Sequence, residues 1–223
     1  MRKIRTTWPG LAALGLLVAA NATAQQPAPP IQPAKAAVDH EALVAELKGS
    51  FVERGLAKLD RIDQSPMQRA CSIAEAGGEM PAETAMKITQ DAAANVKPPA
   101  DGNYIGDWRQ GEKVAQNGRG LQFSDTAKTI NGGNCYACHQ MTKSEISYGN
   151  IGPSLYQYGK LRGNGQDMVS YTWAKIYDSH ATMPCSNMPR FGAAGILTEQ
   201  QLKDVMALLL DPQSAVNDDQ AKP

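Results

Sequence analysis

The residues best equipped for chemistry stand together at Cys135-Tyr136-Ala137-Cys138-His139. Two thiols separated by two residues and followed at once by an imidazole form the C-x-x-C-H pattern that attaches a c-type haem. Each position has a task. The thiols add across the two vinyl groups of the porphyrin and become thioethers. Their spacing on a helical turn sets both sulfurs at one edge of the ring, and His139 then lies under the iron as proximal ligand. A structural zinc site would want further Cys or His at a matching spacing, and there is no second C-x-x-C. A redox dithiol of the thioredoxin kind would want a βαβ pattern, and none is legible. One motif implies one haem c.

An iron of this kind takes a second axial ligand, usually His or Met, and Met raises the potential. The other histidines are His40 and His180, and the methionines after the motif are Met141, Met168, Met183, Met188 and Met206. Met141 stands too near His139 to reach the opposite face. Met206 has the spacing of a helix core position. Met183 and Met188, in a Pro-rich stretch before the last helix, stay open as candidates, and His180 is expected as an ordinary surface histidine. A proximal histidine normally donates its other N–H to an acceptor that fixes the ring. Gly152-Pro153 follow His139 by a short loop, so a carbonyl there is well placed by chain length, and Pro153 stiffens the turn. Cys71 and Cys185 remain once the haem has its pair, and in an oxidising compartment they are expected to join.

That compartment is suggested by the first residues. Arg2, Lys3 and Arg5 precede an apolar stretch from Leu11 to Ala20, and Ala22-Thr23-Ala24 supplies a small-x-small cleavage pattern, so residues 1–24 read as a secretory signal. The stretch is short of the ~20 residues that span a bilayer. Cleavage would remove three basic residues and no acidic ones, leaving a mildly acidic periplasmic protein with no membrane span. Over the whole chain of 223 residues, 22 basic residues balance 22 acidic ones, which argues against the basic footprint of a nucleic-acid binder. Aromatics are only 6 %, thin for a self-sufficient core. A porphyrin would supply the missing apolar surface.

The elements that must position these residues read as helices. Residues 25–38 are rich in Pro, Gln and Ala and form a linker. Helical patterning runs from an N-cap at Asp39 to about Ile62, weakened at Gly49 and Gly55, with Leu43, Leu47 and Phe51 on one face. Further helices are expected from Pro66 to Ala76, from Pro81 towards Val96, from Asp107 to Asn117, at a turn near 136–140 and from Ser170 to Ser179. A last one opens with the capping box Thr198-Glu199-Gln200-Gln201 and ends at Asp211-Pro212. Residues 118–134 and 147–165 read as loops, and 213–223 as a frayed, flexible tail. No strand is convincing.

Several segments together resemble a known family. GEKVAQNGRGL (111–121), GGNCYACH (132–139), GNIGPSL (149–155), NMPRFG (187–192) and GILTEQQLKDVMALLLDP (195–212) are similar to SoxX, the monohaem cytochrome c subunit of the SoxAX complex of bacterial thiosulfate oxidation. The resemblance covers about residues 104–212, and MPRFG is its most specific part. It implies an all-α cytochrome c fold with long loops around one covalent haem, spanning 99–212, with helix 107–117 crossing helix 198–210. Residues 39–98 would be a helical N-terminal extension outside the common pattern. It implies His139 and Met188 as axial ligands. It implies a SoxA-type haem partner that oxidatively joins thiosulfate to a cysteine of the SoxYZ carrier protein, and a small cytochrome c as electron acceptor. On that reading the chain carries no catalytic acid, base or nucleophile. Arg190, beside Met188, is a candidate to hold a haem propionate by a charge-assisted hydrogen bond.

Overall fold

The computed structural model describes residues 39–220; the signal and linker expected over 1–38 lie outside the described residues. Local signals place most of the helices. Asp39 caps α1 (His40–Ser50), its carboxylate accepting the N–H groups of Glu41 and Ala42. The helix stops at the glycine-weakened stretch, and the chain passes through an isolated Arg54–Ala57 bridge into a 3₁₀ turn, Leu59–Ile62. Ser65 and Gln68 form a reciprocal capping box at the start of α2 (Pro66–Glu75), with Pro66 in the first turn. The segment α3 (Ala82–Asn95) follows Pro81. These elements make up the N-terminal extension. Leu43 and Leu47 on α1, and Phe51 just after its end, are exposed, contrary to the core face that their spacing suggests.

The rest of the fold is organised by two helices. Asp107 caps α4 (Trp108–Gln116), and the Thr198–Gln201 capping box opens the last helix, Glu199–Leu210. They cross at Gly111, where a Cβ would collide with the Asp204 carbonyl and meet the Leu208 Cβ at 3.0 Å. Only a glycine lets the two backbones approach so closely. The last helix carries more than the single apolar stripe that its sequence shows. From Leu202 to Leu210 every residue is buried, Lys203 and Asp204 included. The segment before α4 covers them. Lys203 Nζ pairs with Asp101 at 2.7 Å, which holds the Asp101 carboxyl below the usual carboxylate range, and Asp204 Oδ1 accepts the Asp107 N–H at 2.9 Å. Trp108, Trp173 and Phe191 complete the core around this helix.

Three expectations need correction. The 147–165 stretch is not all loop: α5 (Tyr158–Arg162) forms there, with Tyr158 buried and its hydroxyl 2.9 Å from Thr172 Oγ1. The helix expected from Ser170 begins four residues earlier, as α6 (Gln166–Tyr177). Gln166 and Asp167 open it as polar, exposed residues, and Met168 and Val169 follow half-buried against the core. The frayed tail fails for Ser214 to Asn217, which are buried. The Asn217 side-chain amide donates to the main-chain carbonyls of Leu209 and Asp211, satisfying the free end of the last helix, now α7, and its Oδ1 accepts the Lys160 N–H. Polar composition suggested solvent there, whereas the asparagine works as a cap in tertiary space.

Candidate haem-attachment site

The motif Cys135–His139 sits on a 3₁₀ turn, Cys135–Ala137, whose entry residue Asn134 has left-handed backbone (φ 48°). Two ladder-like bonds tie this entry to the end of α4: the Gly133 N–H donates to Val114 and the Asn134 N–H to Asn117. Inside the turn, the N–H groups of Cys138 and His139 both donate to the Cys135 carbonyl. The loop that follows returns along it, with the Gly149 N–H on Tyr136 O and the Gly152 N–H on Cys138 O. This brings the Pro153 carbonyl to 2.7 Å from His139 Nδ1. A carbonyl can only accept, so Nδ1 carries the proton and Nε2 keeps a lone pair for a metal. Gly152 lies flat against the ring; a Cβ there would run into the imidazole.

Cys135 and Cys138 are free thiols and partly buried, whereas Cys71 and Cys185 form a disulfide with their Cα atoms 5.5 Å apart. Burial pushes the Cys135 thiol up to about 12. Between the two thiols, Tyr136 is buried and donates to the Glu112 carboxylate at 2.9 Å, while Gln116 donates to the same oxygen at 2.6 Å. Burial raises the pKa of Glu112, with these hydrogen bonds opposing. The pair is a polar rivet between α4 and the turn, and nothing in the spacing of Glu112 and Tyr136 announces it.

On the other candidate ligands the structure is discriminating. Met141 and Met206 are buried in the core, and Met168 Sδ accepts the Tyr158 hydroxyl at 3.5 Å. Met183 is 56 % exposed, whereas Met188 is half-buried against the core. Arg190 is half-buried two residues on. His180 is not a surface residue: it is 8 % exposed, in a 3₁₀ turn, Ser179–Ala181, whose tight path sequence spacing did not reveal. Its Nε2–H donates to the Ser186 carbonyl at 3.1 Å, and Nδ1 lies buried 3.8 Å from Asp178 Oδ1 without a hydrogen-bond partner.

These residues suit a covalently held haem: two unbridged thiols at the required spacing, and an adjacent imidazole fixed in the tautomer that ligates through Nε2. A cytochrome c family model matches residues 123–211, from the loop before Cys135 to the end of α7. The chain is also 36 % identical over 183 residues to an uncharacterized lipoprotein of Aquifex aeolicus (strain VF5), an alignment covering 77 % of this chain and 79 % of that one. Residues 123–211 form a cytochrome c domain. The cytochrome has the all-α fold that its sequence implied, and with it come covalent haem c and a role in electron transfer. An alignment of that length exceeds the family match and must run into the N-terminal extension. No helix among the described residues is long and apolar enough to cross a membrane.

Proposed function

We propose that this cytochrome is the monohaem electron-transfer subunit of a periplasmic SoxAX-type enzyme that oxidatively conjugates thiosulfate to a cysteine of a SoxYZ-type carrier. The observation that carries the reading is the His139 arrangement, with Nδ1 engaged by Pro153 and Nε2 free to ligate, in a chain that also bears the NMPRFG segment. Cys135 and Cys138 would hold one haem by thioethers, and His139 and Met188 would take the two axial positions. The haem supplies a one-electron carrier when bound. The chain's own residues do the rest. Pro153 keeps the imidazole oriented, Gly152 keeps its face uncrowded, and the Cys71–Cys185 bridge ties the loop bearing Met188 to the extension. With His139 and Met188 both engaged, an iron held here would keep no coordination position for a substrate, which favours electron transfer over bond-making chemistry. Arg190 would meet a haem propionate.

Joining thiosulfate to a thiol forms one S–S bond and releases two electrons and one proton. The bond-making belongs to the SoxA-type partner, and a single-haem subunit relays the two electrons one at a time to a small cytochrome c acceptor. The test is capture of the full-length chain, tagged at its C-terminus, from native periplasm. A second haem subunit should copurify, and thiosulfate with carrier protein should reduce this haem only when that subunit is present. Recovery of the cytochrome alone, still exchanging electrons freely with small cytochromes, would make it a freestanding carrier. For the ligand assignment, Met188→Ala should keep the haem attached, abolish the methionine-to-iron charge-transfer band and lower the potential. An unchanged band overturns it.

A further inference from the structure

Both main-chain polar groups of Met188 are taken by serine hydroxyls. Its carbonyl accepts the Ser179 hydroxyl at 2.6 Å, at the short end for O–H···O bonds, and its N–H donates to Ser186 Oγ at 3.2 Å. Ser179 has no solvent exposure. It belongs to the same 3₁₀ turn as His180, whose imidazole donates to the Ser186 carbonyl, so one short turn grips the loop twice, at Ser186 and at Met188. That turn in turn packs against α3 of the N-terminal extension. The loop is fastened a third time by Cys185, bonded to Cys71 on α2.

We propose that Ser179 is a positioning residue for Met188, its buried hydroxyl fixing the main chain from which the thioether is presented. The inference rests on Met188 being the axial ligand. Moving Met188 away strips the Ser179 hydroxyl of its acceptor in a buried place, and an unsatisfied buried donor is costly. The open form, in which sulfur has left the iron, is therefore kept rare. Without the hydroxyl, main chain and loop stay tethered by the disulfide, but the local opening becomes more populated. The effect on an outside ligand that must wait for that opening is direct.

The experiment uses the full-length holoprotein. Cyanide is mixed with the ferric form of wild type, Ser179→Ala and Met188→Ala, with helix content followed separately on heating. Ser179→Ala should keep the haem, lower the unfolding midpoint by only about 2–4 °C, weaken the methionine charge-transfer band, and bind cyanide about three- to tenfold faster, the range expected for one net hydrogen bond. A merely structural role would lower the unfolding midpoint and leave capture unchanged. Should Ser179→Ala not accumulate, Ser179→Cys, similar in volume and a poorer donor, should move capture the same way by less. If Met188→Ala loses the band while the Ser179 variants capture cyanide at the wild-type rate, the positioning role is wrong and the ligand assignment stands. If Met188→Ala keeps the band, the ligand assignment itself fails.

Discussion

His139 and Met188 are held by contacts of opposite range. The contacts of the His139 ring come from one stretch, the carbonyl of Pro153 and Gly152 lying against it, and the turn at 135–137 that carries it is fastened to α4 next door. The loop of Met188 is fastened by the Ser179–Ala181 turn, by α3 behind that turn, and by Cys71, which is 114 residues from Cys185. The first arrangement is complete as soon as a few neighbouring residues fold. The second exists only when the extension has docked. The lesson is that the histidine side depends on nearby backbone geometry, whereas the methionine side depends on α2 and α3, far away along the chain.

Three substitutions put that contrast under strain. The largest effect is expected at Gly152→Val, because its side chain would occupy the space of the His139 ring. Overpacking of this sort costs about 1–3 kcal/mol, and here the imidazole is what must yield. The absorption spectrum should change from a six-coordinate low-spin to a high-spin form, with the haem still covalently attached on a denaturing gel. A normal spectrum would show that the ring is not confined by this glycine. Next comes Cys71→Ser. Opening a link of that length removes at most ~4–5 kcal/mol in the chain-entropy model. The urea midpoint should fall, and the charge-transfer band should be lost at lower urea than the helices are. Simultaneous loss of the two signals would mean that the extension does not bear on the Met188 loop in particular.

The smallest effect is expected at Glu112→Gln. Burial raises the folded-state pKa of Glu112, so the folded chain holds a proton that the unfolded chain releases in the ordinary carboxylate range. Stability therefore falls as pH rises from that range up to the raised value. Glutamine keeps an acceptor for Tyr136 and Gln116 and removes this dependence. The variant should match wild type in acid and surpass it at neutral pH, as read from thermal midpoints across the pH range. A constant difference at all pH values would contradict the burial argument.

The legible parts of the fold were those written in neighbouring residues. Asp39, Pro66, Asp107 and Thr198 announce helix starts because each belongs to the cap or first turn of its own helix. Cys135, Cys138 and His139 announce chemistry because thioether attachment demands that order. Pro153 was legible because its distance along the chain limits where its carbonyl can go. What escaped was set by contacts across the fold. Asn217 reads as a polar tail residue until it meets the end of α7. His180 reads as an ordinary surface histidine, and Ser179 as the end of a helix, until α3 closes over their turn. The exposed apolar face of α1 shows the reverse, a periodic pattern that burial does not follow.

The order of the four cysteines has a consequence for biogenesis. In a chain made from its amino end, Cys71 is the first thiol to emerge and its proper mate, Cys185, is the last. Oxidation in order of appearance would couple Cys71 with Cys135 and Cys138 with Cys185, destroying both the cross-link and the porphyrin anchor. Maturation must therefore add the middle thiols across the porphyrin vinyl groups first, delay oxidation until folding brings Cys71 to Cys185, or reshuffle wrongly joined sulfurs afterwards.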